Sequence, residues 1–183
     1  MKKSYTITAF SENRVGLLNR ITIVFTRRQV NIESLAVSAS AIKGIHKFTI
    51  VVEDTKAKVE KVVSQIEKLV EVIKAYYHTD DEIVYQEIAL YKVMTNAILE
   101  SKTLEKTIRS YNARILEITP EYTVIEKTGH KEETQELFSK LNKYGVKQFT
   151  RSGRVAITKL SKELLSSYLD EIKDKESIYS SNN

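Results

Sequence analysis

The stretch Ser4-Tyr5-Thr6-Ile7-Thr8-Ala9-Phe10-Ser11-Glu12-Asn13-Arg14-Val15-Gly16-Leu17-Leu18 contains a strand, a turn and a helix start in immediate succession. Tyr5, Ile7 and Ala9 alternate with Thr6, Thr8 and Phe10, and this period of two predicts a β-strand with one face on a core. The polar turn 12–16 follows. Apolar residues then recur at intervals of three and four, which predicts an amphipathic helix over Leu17, Ile21, Val24 and Phe25.

The residues that follow complete a βαββαβ order. Two further strands are predicted at Asn31–Ser40 and Ile45–Glu53, with a turn at Lys43-Gly44 between them. Asp54-Thr55 offers a cap for a second helix that carries Val59, Val62 and Ile66, and Val70–Tyr77 is the fourth strand. This order is the ferredoxin-like arrangement, with both helices on one face of an antiparallel sheet.

The same order recurs in the second half of the chain. One helix is predicted over Ile98–Tyr111, and one closing strand over Val146–Thr158; the remaining predicted elements are strands at Val84–Val93, Arg114–Ile118 and Tyr122–Lys127 and a helix at Glu132–Leu141. The predicted fold class is therefore α+β, two ferredoxin-like βαββαβ units in tandem. The predicted domains are 1–79 and 84–160, joined by a linker at 80–83 and followed by a tail at 161–183.

Composition excludes several kinds of chemistry. The 183 residues contain no cysteine, so disulfides, thiol nucleophiles and cysteine–metal sites are absent. The three histidines, His46, His78 and His130, lie far apart with no carboxylate at ligand spacing, and no glycine-rich phosphate loop is present. We therefore expect no catalytic residue, no metal and no cofactor in this chain. With no signal-peptide pattern and no long apolar run, we also expect a cytoplasmic protein that does not enter membranes.

The net charge of +5 is a weak indication of nucleic-acid binding, because basic and acidic residues are mixed along the helices. RNA-binding proteins of this topology carry aromatic residues on their central strands. The third strand has only one candidate, Phe48. We therefore expect no nucleic-acid partner.

The turn 12–16 is the best candidate site. Unpaired N–H groups and the helix dipole favour a carboxylate at the start of a helix, and Gly16 lets a ligand approach the backbone. Asn13 brings one acceptor and two donors, enough for a carboxylate and an ammonium group together. The alternative is structural, with Asn13 as a helix cap, Gly16 as a turn residue and Asn31 as a helix stop. Physical reasoning from these residues leaves both interpretations open.

Three segments resemble the acetolactate synthase small-subunit family. The first is Glu12-Asn13-Arg14-Val15-Gly16-Leu17-Leu18-Asn19-Arg20-Ile21, and the second is Asn31-Ile32-Glu33-Ser34-Leu35. The third is a series in the second unit, made of Ile118-Thr119-Pro120-Glu121-Tyr122-Thr123-Val124, Thr128-Gly129 and Arg151-Ser152-Gly153. The first two segments alone would indicate only an amino-acid-binding ACT domain.

The resemblance implies a regulatory subunit that binds a branched-chain amino acid, commonly valine, between paired ACT domains. Asn13, Gly16, Leu17 and Leu18 match the effector loop of the family, and Asn31 matches the partner residue on the second strand. The resemblance also implies a homodimer and a catalytic large subunit that carries thiamine diphosphate, Mg²⁺ and FAD. This chain would activate that subunit and mediate feedback inhibition in branched-chain amino acid biosynthesis. The second unit lacks the Asn-x-x-Gly loop, so we do not expect it to bind the same ligand in the same way.

Two features depart from the family pattern. The hairpin Ser40-Ala41-Ile42-Lys43-Gly44 has neither the acidic residue nor the proline that the family usually carries there, and Lys47 replaces a usual arginine.

Two other functions remain as alternatives. One is a stand-alone ACT-domain amino-acid sensor or transcriptional regulator, although no helix-turn-helix is predicted. The other is a nucleic-acid-binding ferredoxin-like protein.

Overall fold

The computed structural model describes residues 1–181, with side chains as far as Lys173. The chain forms two compact units. The first contains residues 1–84 together with the chain from Ala156 onward, and the second contains residues 85–155.

The first unit has the predicted βαββαβ order. Its elements are β1 (Lys3–Glu12), α1 (Leu17–Arg27), β2 (Ile32–Ala39), β3 (Ile45–Asp54), α2 (Lys56–Ile66) and β4 (Val72–His78). The strands form an antiparallel sheet in the order β2-β3-β1-β4, with Ile7 opposite Ile50 on β3 and opposite Tyr77 on β4. The two central strands are therefore β1 and β3, and β2 is an edge strand.

The core of the first unit lies between this sheet and its two helices. Alternation along β1 directs Tyr5, Ile7 and Ala9 into the core, as the sequence predicts. The helical stripe of α1 contributes Leu17, Ile21 and Phe25, each at most 1% exposed. The apolar face of the strand, which repeats every two residues, therefore packs against the apolar face of the helix, which repeats every 3.6 residues.

The second unit repeats the arrangement. A short 3₁₀ turn over Asp80–Glu82 precedes it. Its elements are β5 (Ile83–Met94), α3 (Thr95–Glu100), α4 (Lys102–Ser110), β6 (Arg114–Ile118), β7 (Tyr122–Gly129), α5 (Lys131–Asn142) and β8 (Gln148–Arg151). Its five-stranded sheet runs β6-β7-β5-β8, and β9 (Val155–Thr158) also pairs with β5. Its core includes Tyr91, Ile125 and Leu137. The predicted fold class of two tandem ferredoxin-like units is thus confirmed.

Two predicted elements are each divided in the structure. The helix predicted over Ile98–Tyr111 is broken at Ser101, whose extended backbone ends α3 and whose hydroxyl accepts from Leu104 N at 3.2 Å to begin α4. The strand predicted over Val146–Thr158 is also interrupted. It becomes β8 and β9 (Val155–Thr158), and α6 (Leu164–Ser181) follows.

The end of the second unit has contacts of two kinds. The chain from Ala156 onward packs with the first unit, while β9 pairs with β5. The predicted bounds of 84–160 for the second domain and 161–183 for a tail stay a prediction. Lys159 illustrates the packing with the first unit, because its backbone N donates to Glu82 O at 2.9 Å and its Nζ donates to Asp81 O at 2.8 Å.

Candidate functional site

The loop between β1 and α1 is shaped by one glycine. Gly16 has φ 84° and ψ −7°, a left-handed conformation that costs a residue with a Cβ roughly 1–2 kcal/mol. It turns the chain from the end of β1 at Glu12 into α1, which begins at Leu17. Leu17 is 1% exposed and anchors the helix start in the core, while its neighbour Leu18 is 45% exposed.

The N-terminus of α1 keeps free backbone donors. Leu17 N donates to Arg14 O at 3.3 Å, and Arg20 N donates to Gly16 O at 3.2 Å. For the N–H groups of Leu18 and Asn19, no acceptor occurs within the part of the chain that the structure describes. The first turn has no acidic residue, and the cap residue, Gly16, has no side chain that could bond to it. The positive end of the helix dipole is therefore available to an anion.

A cavity of about 180 Å³ lies against this loop. Asn13, Gly16, Leu17 and Leu18 line it together with Glu12, Arg14, Val37, His46 and Phe48. At about 30 Å³ per water, the volume corresponds to roughly six waters, which is the scale of a small amino acid. The lining combines the polar loop on one side with apolar side chains from β2 and β3 on the other.

The side chain of Asn13 distinguishes the two interpretations of the loop. It is exposed, and among the described residues it makes no hydrogen bond and does not cap α1. Its amide retains its full capacity of two donors and one acceptor beside the cavity. This observation favours a binding role over a capping role.

Asn31 lies elsewhere in the chain. It follows the far end of α1, whose 11 residues at 1.5 Å each extend about 16 Å. Its Nδ2 donates to Glu33 Oε1 at 2.8 Å, and Asn31 is not among the residues that line the loop cavity. Of the five predicted site residues, one chain therefore brings together four, namely Asn13, Gly16, Leu17 and Leu18.

The sequence reasoning missed Val37, His46 and Phe48 as cavity residues. The strand register places His46 opposite Ala39, and it places Phe48 opposite Val37, so all three cavity residues lie on one face of the sheet. Alternation along β3 was the available signal, because His46 and Phe48 are two residues apart.

The charges around the loop are paired. The Arg14 Nε atom lies 3.0 Å from Glu12 Oε2. The Arg20 guanidinium donates to the Glu71 carboxylate, and this hydrogen bond holds the pKa of Glu71 below its usual value. Glu12 N donates to Glu71 O at 3.0 Å, which ties the loop to the start of β4. Each of these carboxylates is thus paired with an arginine through one of its oxygens, and neither accepts a hydrogen bond from Leu18 N or Asn19 N.

The unusual hairpin is closed by Ser40. Its backbone N donates to Ile45 O at 2.9 Å, and its hydroxyl accepts from Ile42 N at 3.1 Å. Lys47, which stands where the family usually has an arginine, is half-buried, and its Nζ donates to Ala156 O at 2.6 Å. Lys47 thus contacts the C-terminal part of its own unit.

Within residues 1–181, no group of three or more histidine, aspartate or glutamate side chains is arranged to hold a metal ion. A search of the same residues finds no helix with the length and apolar character needed to cross a membrane.

Two family models match the chain. Residues 7–74 match a family described as the AHAS small subunit-like ACT domain, and residues 86–160 match a family described as the small subunit of acetolactate synthase. Together these segments include both the loop cavity and most of the second unit.

Curated relatives carry the same description over nearly their whole length. The acetolactate synthase small subunit of Bacillus subtilis is 32% identical over 168 residues, which covers 91% of this chain and 96% of the relative. That of Mycobacterium bovis is 32% identical over 157 residues, covering 86% and 93%. A protein of Archaeoglobus fulgidus described as a probable small subunit is 33% identical over 159 residues, covering 87% and 99%.

A solved structure shares the fold. The acetolactate synthase small subunit of Thermotoga maritima matches with a TM-score of 0.78 and 24% identity, covering 87% of this chain and 99% of that one. The match supports the arrangement of two ferredoxin-like units along one chain.

Proposed function

Because this chain belongs to the acetolactate synthase small-subunit family and is a regulatory rather than a catalytic subunit, we propose that its loop cavity senses a branched-chain amino acid such as valine. Occupancy of this cavity would transmit feedback inhibition to the catalytic large subunit. In the absence of effector, the chain would raise the activity of that subunit.

The open N-terminus of α1 beside Asn13 carries the proposal. The N–H groups of Leu18 and Asn19 would receive the effector carboxylate, and the amide oxygen of Asn13 would accept from its ammonium group. The apolar side chain would lie against Val37, Leu18 and Phe48. In this arrangement, an amino acid with a short aliphatic side chain would suit the cavity better than a charged one.

A second copy of the chain would complete the site. Asn31 precedes the edge strand β2 and is separated from Asn13 of its own chain by the length of α1. In a homodimer formed through the first units, Asn31 of one copy would reach the loop of the other. Each dimer would then contain two equivalent sites.

The remaining partners follow from the same family. The catalytic large subunit would hold thiamine diphosphate, Mg²⁺ and FAD, and this chain would bind none of them. The proposal retains the cytoplasmic location expected from the composition. Neither nucleic acid nor membrane has a part in it.

A thermal-shift experiment tests the effector site. Valine at about 100 times its dissociation constant should stabilise the protein by about 2.7 kcal/mol. For a chain of this size, that is roughly 5–10 °C in Tm. Leucine and isoleucine are the related candidates, and serine and phenylalanine serve as comparisons of different side-chain chemistry and size.

Asn13→Ala should abolish most of the shift without changing the fold, because the side chain is exposed and bonds to no described residue. Asn142→Ala, an exposed asparagine at the end of α5, is the matched control and should respond to valine as the parent does. An unchanged shift in Asn13→Ala, or no shift with any branched-chain amino acid in the parent, would contradict the proposed site.

A further inference from the structure

The sheet of the first unit is covered on both faces. Its two helices cover one face, on which Ile7 and Ile50 are fully buried. On the opposite face Phe10, Thr49 and Val51 are only 6%, 5% and 7% exposed. A four-stranded sheet with helices on one side leaves its other face open, so this burial requires another part of the chain.

The residues from Ala156 to Leu165 lie against this face beside Phe10, Lys47 and Tyr76. Two side chains of the sheet hold this segment by its backbone carbonyls: Lys47 Nζ donates to Ala156 O at 2.6 Å, and Tyr76 Oη donates to Leu164 O at 3.1 Å. Leu165 is 1% exposed. The segment is therefore anchored at both of its ends.

A cavity of about 210 Å³ remains between the anchors. It corresponds to roughly seven waters at about 30 Å³ each, which suits a small organic molecule. Phe10, Ile83 and Leu164 give it apolar walls, and Thr8, Thr158 and Ser161 add hydroxyl groups. None of these residues lines the loop cavity.

The charged groups around this second cavity are mostly basic. Lys47, His78 and Lys162 line it, with Glu163 as the acidic member. Burial lowers the pKa of Lys47, and the nearby Glu163 opposes that effect. Burial also lowers the pKa of His78, where Glu82 opposes the effect and Lys47 adds to it. The two basic groups are thus close enough to repel each other in their charged forms.

Glu163 compensates for only part of this positive charge. Its carboxylate accepts from Ser166 N at the start of α6, so it is engaged as a helix cap. Lys47 uses one of its three N–H donors on Ala156 O, which leaves two for another partner. An anion in the cavity would accept from these donors.

We propose that the cavity between the open face of the first sheet and residues 156–164 is a second ligand site, which binds a small aliphatic monocarboxylate with its carboxylate on Lys47. The apolar part of the ligand would contact Phe10, Ile83 and Leu164. The site is distinct from the effector loop, because consecutive residues of β3 serve the two cavities: His46 lines one and Lys47 lines the other. The proposal does not depend on the function proposed for the loop.

Three isosteric probes separate charge from shape. Isobutyrate, isobutylamine and isobutanol share a branched apolar body and differ in the sign of their charge. In amide NMR titrations of the full chain, isobutyrate should shift the resonances of Thr8, Lys47 and Ser161. It should also bind at least tenfold more tightly than either of the other two probes.

Lys47→Met retains the apolar stem and should weaken isobutyrate binding at least tenfold. Lys43→Met, in the neighbouring hairpin, is the matched control and should bind as the parent does. Lys162→Glu changes only an exposed residue at the rim and should weaken binding several-fold, so it tests the site even if Lys47→Met fails to fold. Asn13→Ala should leave isobutyrate binding unchanged.

Any of three results would overturn the proposal. The first is isobutylamine binding as well as isobutyrate. The second is a set of shifts confined to residues 12–18. The third is unchanged isobutyrate affinity in a folded Lys47→Met or, if that variant does not fold, unchanged affinity in Lys162→Glu.

Discussion

Gly16 and Gly44 have the same φ of 84°, and a Cβ built at either residue meets no heavy atom within 4 Å beyond the adjacent residues. Only Gly16 lines the loop cavity. The pair therefore separates backbone strain from ligand contact. Each glycine to alanine substitution should destabilise the protein by about 1 kcal/mol, because a left-handed φ strains any residue with a Cβ.

Gly16→Ala should additionally weaken valine binding at least tenfold, since the added methyl group stands where the ligand approaches the loop. Urea unfolding measures the first effect, and valine titration by calorimetry measures the second. Equal valine affinities in Gly16→Ala and Gly44→Ala would show that Gly16 has only a conformational role.

The ion pair between Arg20 and Glu71 should make stability depend on pH. The hydrogen bond from Arg20 lowers the pKa of Glu71 from its ordinary value of 4.5. A carboxylate whose pKa is lowered by folding stabilises the folded state at pH values above its pKa in the unfolded chain. This contribution is lost as the pH falls through its pKa in the folded state. Arg20→Met should therefore have a lower free energy of unfolding than the parent at about pH 7. This difference, the stability gap, should narrow toward about pH 3.

Urea unfolding at both pH values measures that gap. Arg27→Met, exposed in the last turn of the same helix, is the control, and its difference from the parent should remain constant over the acidic range. A gap for Arg20→Met that stays constant between the two pH values would rule out Glu71 as the titrating group.

Much of the loop site could be predicted from the sequence, because Asn13 and Gly16 lie within a few residues of each other between a strand and a helix. The sequence alone left the role of Asn13 open, since a cap and a ligand contact use the same amide. The absence of a hydrogen bond from Asn13 to any described residue favours the second role. Val37, His46 and Phe48 required the pairing of β2 with β3, which depends on long-range register rather than on local pattern.

At the scale of elements, the break between α3 and α4 tests the role of Ser101. Its hydroxyl accepts from Leu104 N and begins α4. Ser101→Ala should lower the free energy of unfolding by about 1 kcal/mol, the usual cost of losing a cap. Ser101→Asp should retain most of the stability, because aspartate also caps helices.

Ser139→Ala, an exposed serine within α5, is the control and should change stability by less than about 0.5 kcal/mol. Chemical denaturation monitored by circular dichroism gives all three values. If Ser101→Ala and Ser139→Ala have the same stability, the hydroxyl of Ser101 does not hold the start of α4.

The helices and strands show which sequence patterns are enough to predict an element. Helices and strands that bury one complete face, such as α1 and β1, were predicted because their apolar period is continuous. The break at Ser101 was not, since the apolar positions on both sides of it also fit one helix. The division of the last predicted strand into β8 and β9 was likewise missed, because the apolar pattern continues past Arg151 while the contacts change from one unit to the other.

At the scale of the whole molecule, hybrid dimers test whether the effector site is shared between two copies. Asn13→Ala and Asn31→Ala chains should each form dimers without effector binding. When they are mixed and allowed to exchange, half of the dimers should be hybrids. One site of each hybrid then combines both substitutions, and the other combines Asn13 and Asn31 in their native form.

Valine titration of the mixture should therefore recover binding at one site per hybrid, and sedimentation should show dimers throughout. If the mixture fails to recover binding despite exchange, or if the parent is a monomer with valine bound, the site lies within one chain.

The return of the chain to the first unit at Ala156 has a consequence for its synthesis. The ribosome completes β1 to β4 before it makes the 71 residues from Tyr85 to Val155, and only afterwards does it make the segment that covers the open face. At 5–20 residues per second, that interval is roughly 4–14 s. During this time Phe10 and Lys47 of the nascent chain lack their contacts with residues 156–165, so the first unit is completed only after the second has been synthesised.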